Sequence, residues 1–170
     1  GNVVTGSRYR EDFWMDDILV VGGAGYIGAH MVALLHRKGL RVHTLDDLSA
    51  GFRESVKFGT FVLGDMGDVG LVRKLIETHA ISTIVHLAGS ISVSESIRDP
   101  AVYYLNNTAN TLSLAAVAAE AGVSRFIFSS TAAVYGNPIE IPLDERHPKH
   151  PVNPYGRSKW LVEQALPDFE

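Results

Sequence analysis

Cysteine is absent from the 170 residues. That excludes disulfides, thiolate nucleophiles and cysteine-held metals, and it fits a cytoplasmic protein. Long apolar runs are missing as well. No stretch of about 18 apolar residues occurs, so nothing reads as a membrane-spanning helix. There is no basic block, and the net charge is −4, which argues against nucleic acid and anionic membranes as partners. Residues 1–14 lack the apolar centre of a signal peptide. Met15, followed by Asp16 and Asp17, reads as a natural start with 1–14 added before it; the domain is expected over 17–170, with 1–16 as an N-terminal extension to it. His147 and His150 sit three apart in a proline-containing loop without a third ligand near in sequence, so no metal site is expected there.

What the chain has is an apolar run, Ile18-Leu19-Val20-Val21, that meets Gly22-Gly23-Ala24-Gly25-Tyr26-Ile27-Gly28. A helical pattern follows directly. Strand, tight turn and helix in that order place bare backbone N–H groups and a positive helix end where a pyrophosphate can sit. Gly23, Gly25 and Gly28 satisfy G-x-G-x-x-G. One glycine is expected to make the turn, one to let the backbone approach phosphates, and one to let the helix pack on the strand.

Helix and strand patterns alternate from there. Helices are expected over 26–38, 69–78, 100–121 and 154–166, and strands over 41–45, 60–63, 83–87 and 125–128. Residues 137–153, holding Pro138, Pro142, Pro148 and Pro151, read as a loop. This is an α/β pattern that implies a doubly wound parallel sheet of Rossmann type, covered on both faces. Ligands of such sheets bind beyond the carboxyl ends of the strands. Those ends carry the glycines, Asp46, Asp65, Ala88-Gly89 and Ser130-Thr131.

Asp46 ends the second strand about 20 residues after the glycine loop, where a carboxylate accepts from ribose hydroxyls and repels a 2′-phosphate. That favours NAD over NADP. Asp65-Met66, after the third strand, are candidates for holding adenine. Tyr155 and Lys159 stand at i and i+4 on the last helix and so share a face. A free tyrosine titrates near pH 10. A neighbouring ammonium and a cationic nicotinamide favour the phenolate, which turns a tyrosine into a general base for a sugar or alcohol hydroxyl. Thr131 offers a hydroxyl on the same rim, with Ser129 and Ser130 as competitors that spacing alone does not separate. Asn106 is a candidate for bonding backbone or a trapped water near the cofactor. His86, in an apolar strand, reads as a core histidine.

Five segments stand in a familiar order: 22–28, Leu45-Asp46-Asp47-Leu48-Ser49, His86-Leu87-Ala88-Gly89, 129–136 (SSTAAVYG), and Asn153-Pro154-Tyr155-Gly156-Arg157-Ser158-Lys159. Together they resemble the extended short-chain dehydrogenase/reductases, and among these the NAD-dependent nucleotide-sugar 4-epimerases. UDP-glucuronate epimerases and decarboxylases are close competitors. The resemblance implies a tightly held NAD touched by Gly22, Gly25, Tyr26, Ile27 and Gly28 at the pyrophosphate. Asp46, Asp47, Leu48, Ser49, Ala50 and Gly51 would surround the adenosine ribose, with Asp65 and Met66 at the adenine. Leu87, Ala88, Gly89 and Ile91 would line the fourth strand, and Asn106, Tyr155 and Lys159 complete the set. Thr131, Tyr155 and Lys159 match the catalytic positions. Tyr155 would take the proton of the sugar 4-hydroxyl while hydride leaves C4, and the resulting 4-keto sugar would turn over before its reduction.

The resemblance further implies a homodimer through helices over 106–121 and 155–166. It also implies a smaller C-terminal substrate domain that this chain lacks. Two readings of the lack stand side by side: the cofactor half of a longer enzyme, and a catalytically silent NAD-binding module. Ile91 stands where many members carry lysine, which implies a cofactor held more loosely or differently.

Overall fold

All five residues of β1 (Asp17–Val21) are buried, and successive side chains of a strand point opposite ways. Leu19 and Val21 enter one core cluster, Ile18 and Val20 another. A strand buried on both faces belongs in the middle of a covered parallel sheet. The computed structural model, which describes residues 17–169, places it there. The extension expected over 1–16 lies outside the described residues.

Along the chain follow α1 (Tyr26–Arg37), β2 (Arg41–Asp46), β3 (Thr60–Leu63), α2 (Val69–His79), β4 (Ile81–His86), α3 (Val93–Arg98) and α4 (Pro100–Tyr103). A π-helical segment (Tyr104–Ala109), α5 (Asn110–Glu120), β5 (Arg125–Phe128) and α6 (Pro154–Ala165) complete the regular structure. The strand order is β3-β2-β1-β4-β5, with every pairing parallel. The expected doubly wound sheet is present. After β1 the chain builds outward through β2 and β3, then returns to β1's other side with β4. That reversal opens a crevice at the carboxyl ends of β1 and β4.

The core divides by sheet face. Leu19, Leu45 and Ile84 pack with Val72, Leu75 and Ile76 of α2 and Leu114, Val117 and Ala118 of α5. Ile18, Val20, Val42 and Val85 pack with Val32 of α1 on the other face. Among the described residues, no helix is long and apolar enough to cross a membrane.

Two local departures from the sequence reading matter for the site. The helix expected over 100–121 is continuous but widens to π pitch over Tyr104–Ala109. A π segment shifts the facing of every later side chain and recurs at functional sites. Here Asn107 lies inside it, buried. The second is α3, capped by Ser92, whose hydroxyl accepts from Glu95 N at 3.3 Å. At six residues its apolar pattern is too brief to show in sequence.

His86 is wholly buried on β4, 2.8 Å from Thr111 Oγ1 through Nε2, as a core histidine should be. Its Nδ1 has no hydrogen-bond partner among the described residues. Burial, aided by the Lys159 charge, pushes its pKa down to about 3, so it folds neutral. An unfolded histidine titrates near pH 6.5. Between these values the unfolded chain binds the proton and the folded one refuses it. His86 therefore leaves stability intact above about pH 6.5 and erodes it as pH falls towards 3, by up to about 1.4 kcal/mol per pH unit. Urea unfolding of the parent and His86→Gln at pH 7 and pH 5 checks this: the parent loses about 2 kcal/mol more than the variant over that step.

Candidate active site

The glycine loop is built from three different constraints. Gly22 takes φ +84°, and a methyl group on it would lie 2.5 Å from Ala88 N. The turn glycine is therefore Gly22, one position ahead of the first glycine of the G-x-G-x-x-G motif. Gly23 instead faces the Thr44 side chain. A methyl group on Gly28 would lie 2.1 Å from Gly22 O, which is the close packing of α1 against the strand. Gly25 differs: its missing Cβ would meet protein only at 3.5 Å. It is the motif glycine whose open space faces away from protein. It is also the N-cap residue of α1, which has no side-chain cap and no acidic residue in its first turn. Bare N–H groups beside an open glycine fit a pyrophosphate. Tyr26 and Ile27 stand exposed at the mouth.

Asp46 ends β2 with its carboxylate turned inward. Oδ2 accepts from Ala24 N at 2.8 Å and Oδ1 from Leu48 N at 2.9 Å. Before any ribose arrives, it already braces the glycine loop, and a carboxylate retains lone pairs for two hydroxyls. Leu48 takes φ +61°, and Asp47 Oδ1 accepts from Ser49 N and Ser49 Oγ. Gly51 lies so close to Ala24 that a methyl group would meet its carbonyl carbon at 2.7 Å. Phe52 N then donates to Ala24 O at 3.2 Å. Asp46 to Gly51, Ala50 included, thus folds over the glycine loop as a second wall. Asp65 Oδ1 accepts from Gly67 N, a local turn, while the Met66 side chain is buried in the core with Leu45 and Val72. At 65–66, what faces outward is Asp65.

The third wall is the end of β4. Leu87 packs into the α1-side core, and Ala88 and Gly89 follow beside Gly22 and Lys159. A methyl group on Gly89 would meet Asn107 Oδ1 at 3.0 Å and Lys159 Nζ at 3.1 Å. Lys159 is 4% exposed. Its Nζ donates to Ser129 O at 3.2 Å and Ala88 O at 3.5 Å, and lies 4.7 Å from the centre of the Phe128 ring. Burial pushes its pKa down to about 8. The lysine thus bridges the ends of β4 and β5 next to the glycine loop. Tyr155 stands one helical turn earlier, half-buried, its ring edge-on to Tyr103 at 6.3 Å.

The three hydroxyls after β5 separate by what they touch. Ser129 contributes its carbonyl to Lys159. The Ser130 hydroxyl donates to Glu163 of α6. Thr131 Oγ1 accepts from Ala133 N at 3.2 Å, which leaves its O–H free to donate.

Asn106 donates to Ser90 Oγ at 3.0 Å, and Ile91, 75% exposed, projects from the same turn. Sequence reasoning missed its neighbour. Asn107 Oδ1 accepts from Ser90 N at 2.8 Å, and Nδ2 donates to Ser90 O at 2.9 Å and Ser158 Oγ at 3.2 Å. Ser158 Oγ in turn donates to Tyr155 O. Asn107 therefore pins the turn after β4 to the helix that carries Tyr155 and Lys159. Helical spacing carried the signal: Asn107 stands four residues after buried Tyr103 and four before buried Thr111. Asn107→Ala leaves Ser90 N unpartnered, and the expected loss is about 2–3 kcal/mol of unfolding free energy by urea titration.

His147 serves its own loop: Nε2 accepts from Ile139 N and Nδ1 donates to Pro148 O, both at 2.9 Å.

The model of the NAD dependent epimerase/dehydratase family matches residues 18–170. UDP-glucose 4-epimerase of Rhizobium meliloti is 47% identical over 154 residues, which are 91% of this chain and 47% of that protein. The Azospirillum brasilense enzyme of the same name is 47% identical over 152 residues, 89% of this chain and 44% of its own length. UDP-glucose 4-epimerase from Brucella ovis, solved in complex with NAD, superposes with a TM-score of 0.89 at 40% identity, covering 91% of this chain and 47% of that one. The chain spans about half the length of the curated relatives it matches. With that likeness carried across nearly all of the described fold, the chain belongs to the NAD dependent epimerase/dehydratase family.

Proposed function

We propose that this chain is the cofactor-holding half of an NAD-dependent nucleotide-sugar 4-epimerase that interconverts UDP-glucose and UDP-galactose in the cytoplasm. One observation carries the reading: Lys159 joins the ends of β4 and β5 beside the glycine loop, with Tyr155 one turn before it on α6. The open face at Gly25 and the uncapped first turn of α1 fit the diphosphate. Asp46 fits an unphosphorylated adenosine ribose, and Asn106, Gly89 and Ile91 flank the nicotinamide side. When bound, NAD supplies reversible hydride acceptance at C4 of the sugar.

The chain's own groups handle the proton. Tyr155 takes the 4-hydroxyl proton and returns it to the 4-keto sugar. Thr131 Oγ1 donates to the same oxygen and fixes it in place. The Lys159 ammonium favours the phenolate electrostatically, and the carbonyls of Ala88 and Ser129 aim it. The same reading makes the protein a homodimer through helices over 106–121 and 155–166, which sedimentation checks.

The deciding experiment incubates the protein at its full natural length with UDP-galactose and follows UDP-glucose formation. Mass spectrometry of the cofactor released on denaturation runs beside it. Formation of UDP-glucose with released NAD is expected. Bound NAD with no turnover of either sugar overturns the reaction assigned.

A further inference from the structure

Glu163 stands four residues after Lys159 and eight after Tyr155 on α6, so all three occupy one face of the helix. Its carboxylate accepts from the Ser130 hydroxyl. The residue before, Ser129, gives its carbonyl to Lys159 Nζ, and the residue after, Thr131, carries the hydroxyl of the site. Two contacts one helical turn apart therefore fasten the same tripeptide to α6. A hydrogen bond to a carboxylate is about twice as strong as a neutral one. Among the described residues, the hydrogen bonds from 129–131 to α6 side chains then reduce to the lysine's, and the next contact is Ala133 against Gly156. The strand gives little help, because β5 ends at Phe128 and residues 129–131 have no strand partner beyond Ser129 N to His86 O.

We propose that Glu163 is a positioning residue: through Ser130 it holds the Ser129 carbonyl against the Lys159 ammonium and sets the aim of the Thr131 hydroxyl. The inference rests on the reading of Tyr155, Thr131 and Lys159 as the working groups. It also explains why Ser130, the hydroxyl nearest in sequence to Thr131, does not compete for the substrate oxygen.

The titratable groups around Lys159 are few. His86 on β4 is neutral, Tyr155 and Glu163 lie on its own helix, and the facing atoms of β4 and β5 are carbonyls and the Phe128 ring. Burial lowers the Lys159 pKa, and Glu163 acts on it through the placement of the Ser129 carbonyl. The carbonyl at Ser129 favours the ammonium form. Losing it lowers the Lys159 midpoint.

The test follows the Lys159 13Cε shift against pH in NAD-free protein of full natural length, labelled with 13C-lysine and assigned through Lys159→Arg. Ser130→Ala and Glu163→Ala each lower the midpoint by about one pH unit, and the double variant by no more than either alone. Glu163→Gln keeps an acceptor oxygen without the charge and holds the midpoint within about 0.3 units. In turnover assays the two alanine variants lose about tenfold in kcat with KM for the nucleotide sugar unchanged. A midpoint that stays put in folded Ser130→Ala and Glu163→Ala overturns the proposal, and so does a Gln variant that moves as far as Ala. If Glu163→Ala does not fold, Ser130→Ala, which removes one oxygen, gives the reading by itself. Midpoint shifts in a protein that turns over neither UDP sugar sustain the positioning role and sink the reaction. Turnover with immobile midpoints does the reverse.

Discussion

On the proposed reading, Tyr155→Phe lowers the epimerase kcat by about a thousandfold while NAD stays bound and the unfolding midpoint barely moves. The substitution deletes one oxygen and keeps the ring, which is edge-on to Tyr103. Tyr103 does not step in. It is fully buried, and burial, followed by the hydrogen bond from its hydroxyl to Glu95, raises its pKa and ties it to α3. His86 is no substitute either: it is enclosed in the sheet and held neutral by that burial. On the proposed reading, neither of these buried groups replaces Tyr155 at the 4-hydroxyl. The measurement is steady-state turnover of UDP-galactose with cofactor content determined on the same sample. Loss of kcat with NAD retained is expected on that reading, since the substitution leaves the glycine loop and Asp46 untouched. A variant that keeps more than a tenth of the parental kcat removes Tyr155 from the role.

Much of this was legible in the chain because it depends on local order. The apolar run of β1, the glycines after it and the uncapped start of α1 are consecutive in sequence, and so is the Tyr155 to Lys159 spacing on α6. The alternation of strands and helices predicts the parallel sheet, since only a doubly covered sheet buries both Ile18 and Leu19. What escaped depends on a register or on a contact between distant segments. Asn107 lies in a segment that widens to π pitch over Tyr104–Ala109, which nothing in the Leu- and Ala-rich pattern announces. Its partners Ser90 and Ser158 stand 17 and 51 residues away. The pairing of Ser130 with Glu163 joins residues 33 apart, so no spacing rule finds it. Asp46 was read as a ribose acceptor, yet its two oxygens also hold Ala24 and Leu48. On the proposed reading one carboxylate shapes the loop and also accepts from the ribose, a double duty that sequence cannot separate.

That double duty makes the glycines the sharpest place to tell fold from function. Gly28→Ala puts a methyl group 2.1 Å from Gly22 O. The obstacle is backbone, so α1 must move off β1, and overpacking of this kind costs about 1–3 kcal/mol or more. Gly25→Ala meets protein only at 3.5 Å and keeps a negative φ of −72°, so the fold accepts it at a cost below about 1 kcal/mol. On the proposed reading its methyl group fills the space the pyrophosphate would take. The two variants are therefore expected to part company. Gly25→Ala keeps the parental unfolding curve and loses about a hundredfold or more in NAD affinity by titration calorimetry, because a displaced phosphate forfeits its charge-assisted bonds to the bare N–H groups. Gly28→Ala loses stability and NAD binding together. If Gly25→Ala binds NAD as the parent does, the diphosphate does not lie on the first turn of α1, and the crevice between β1 and β4 must hold its ligand in another way.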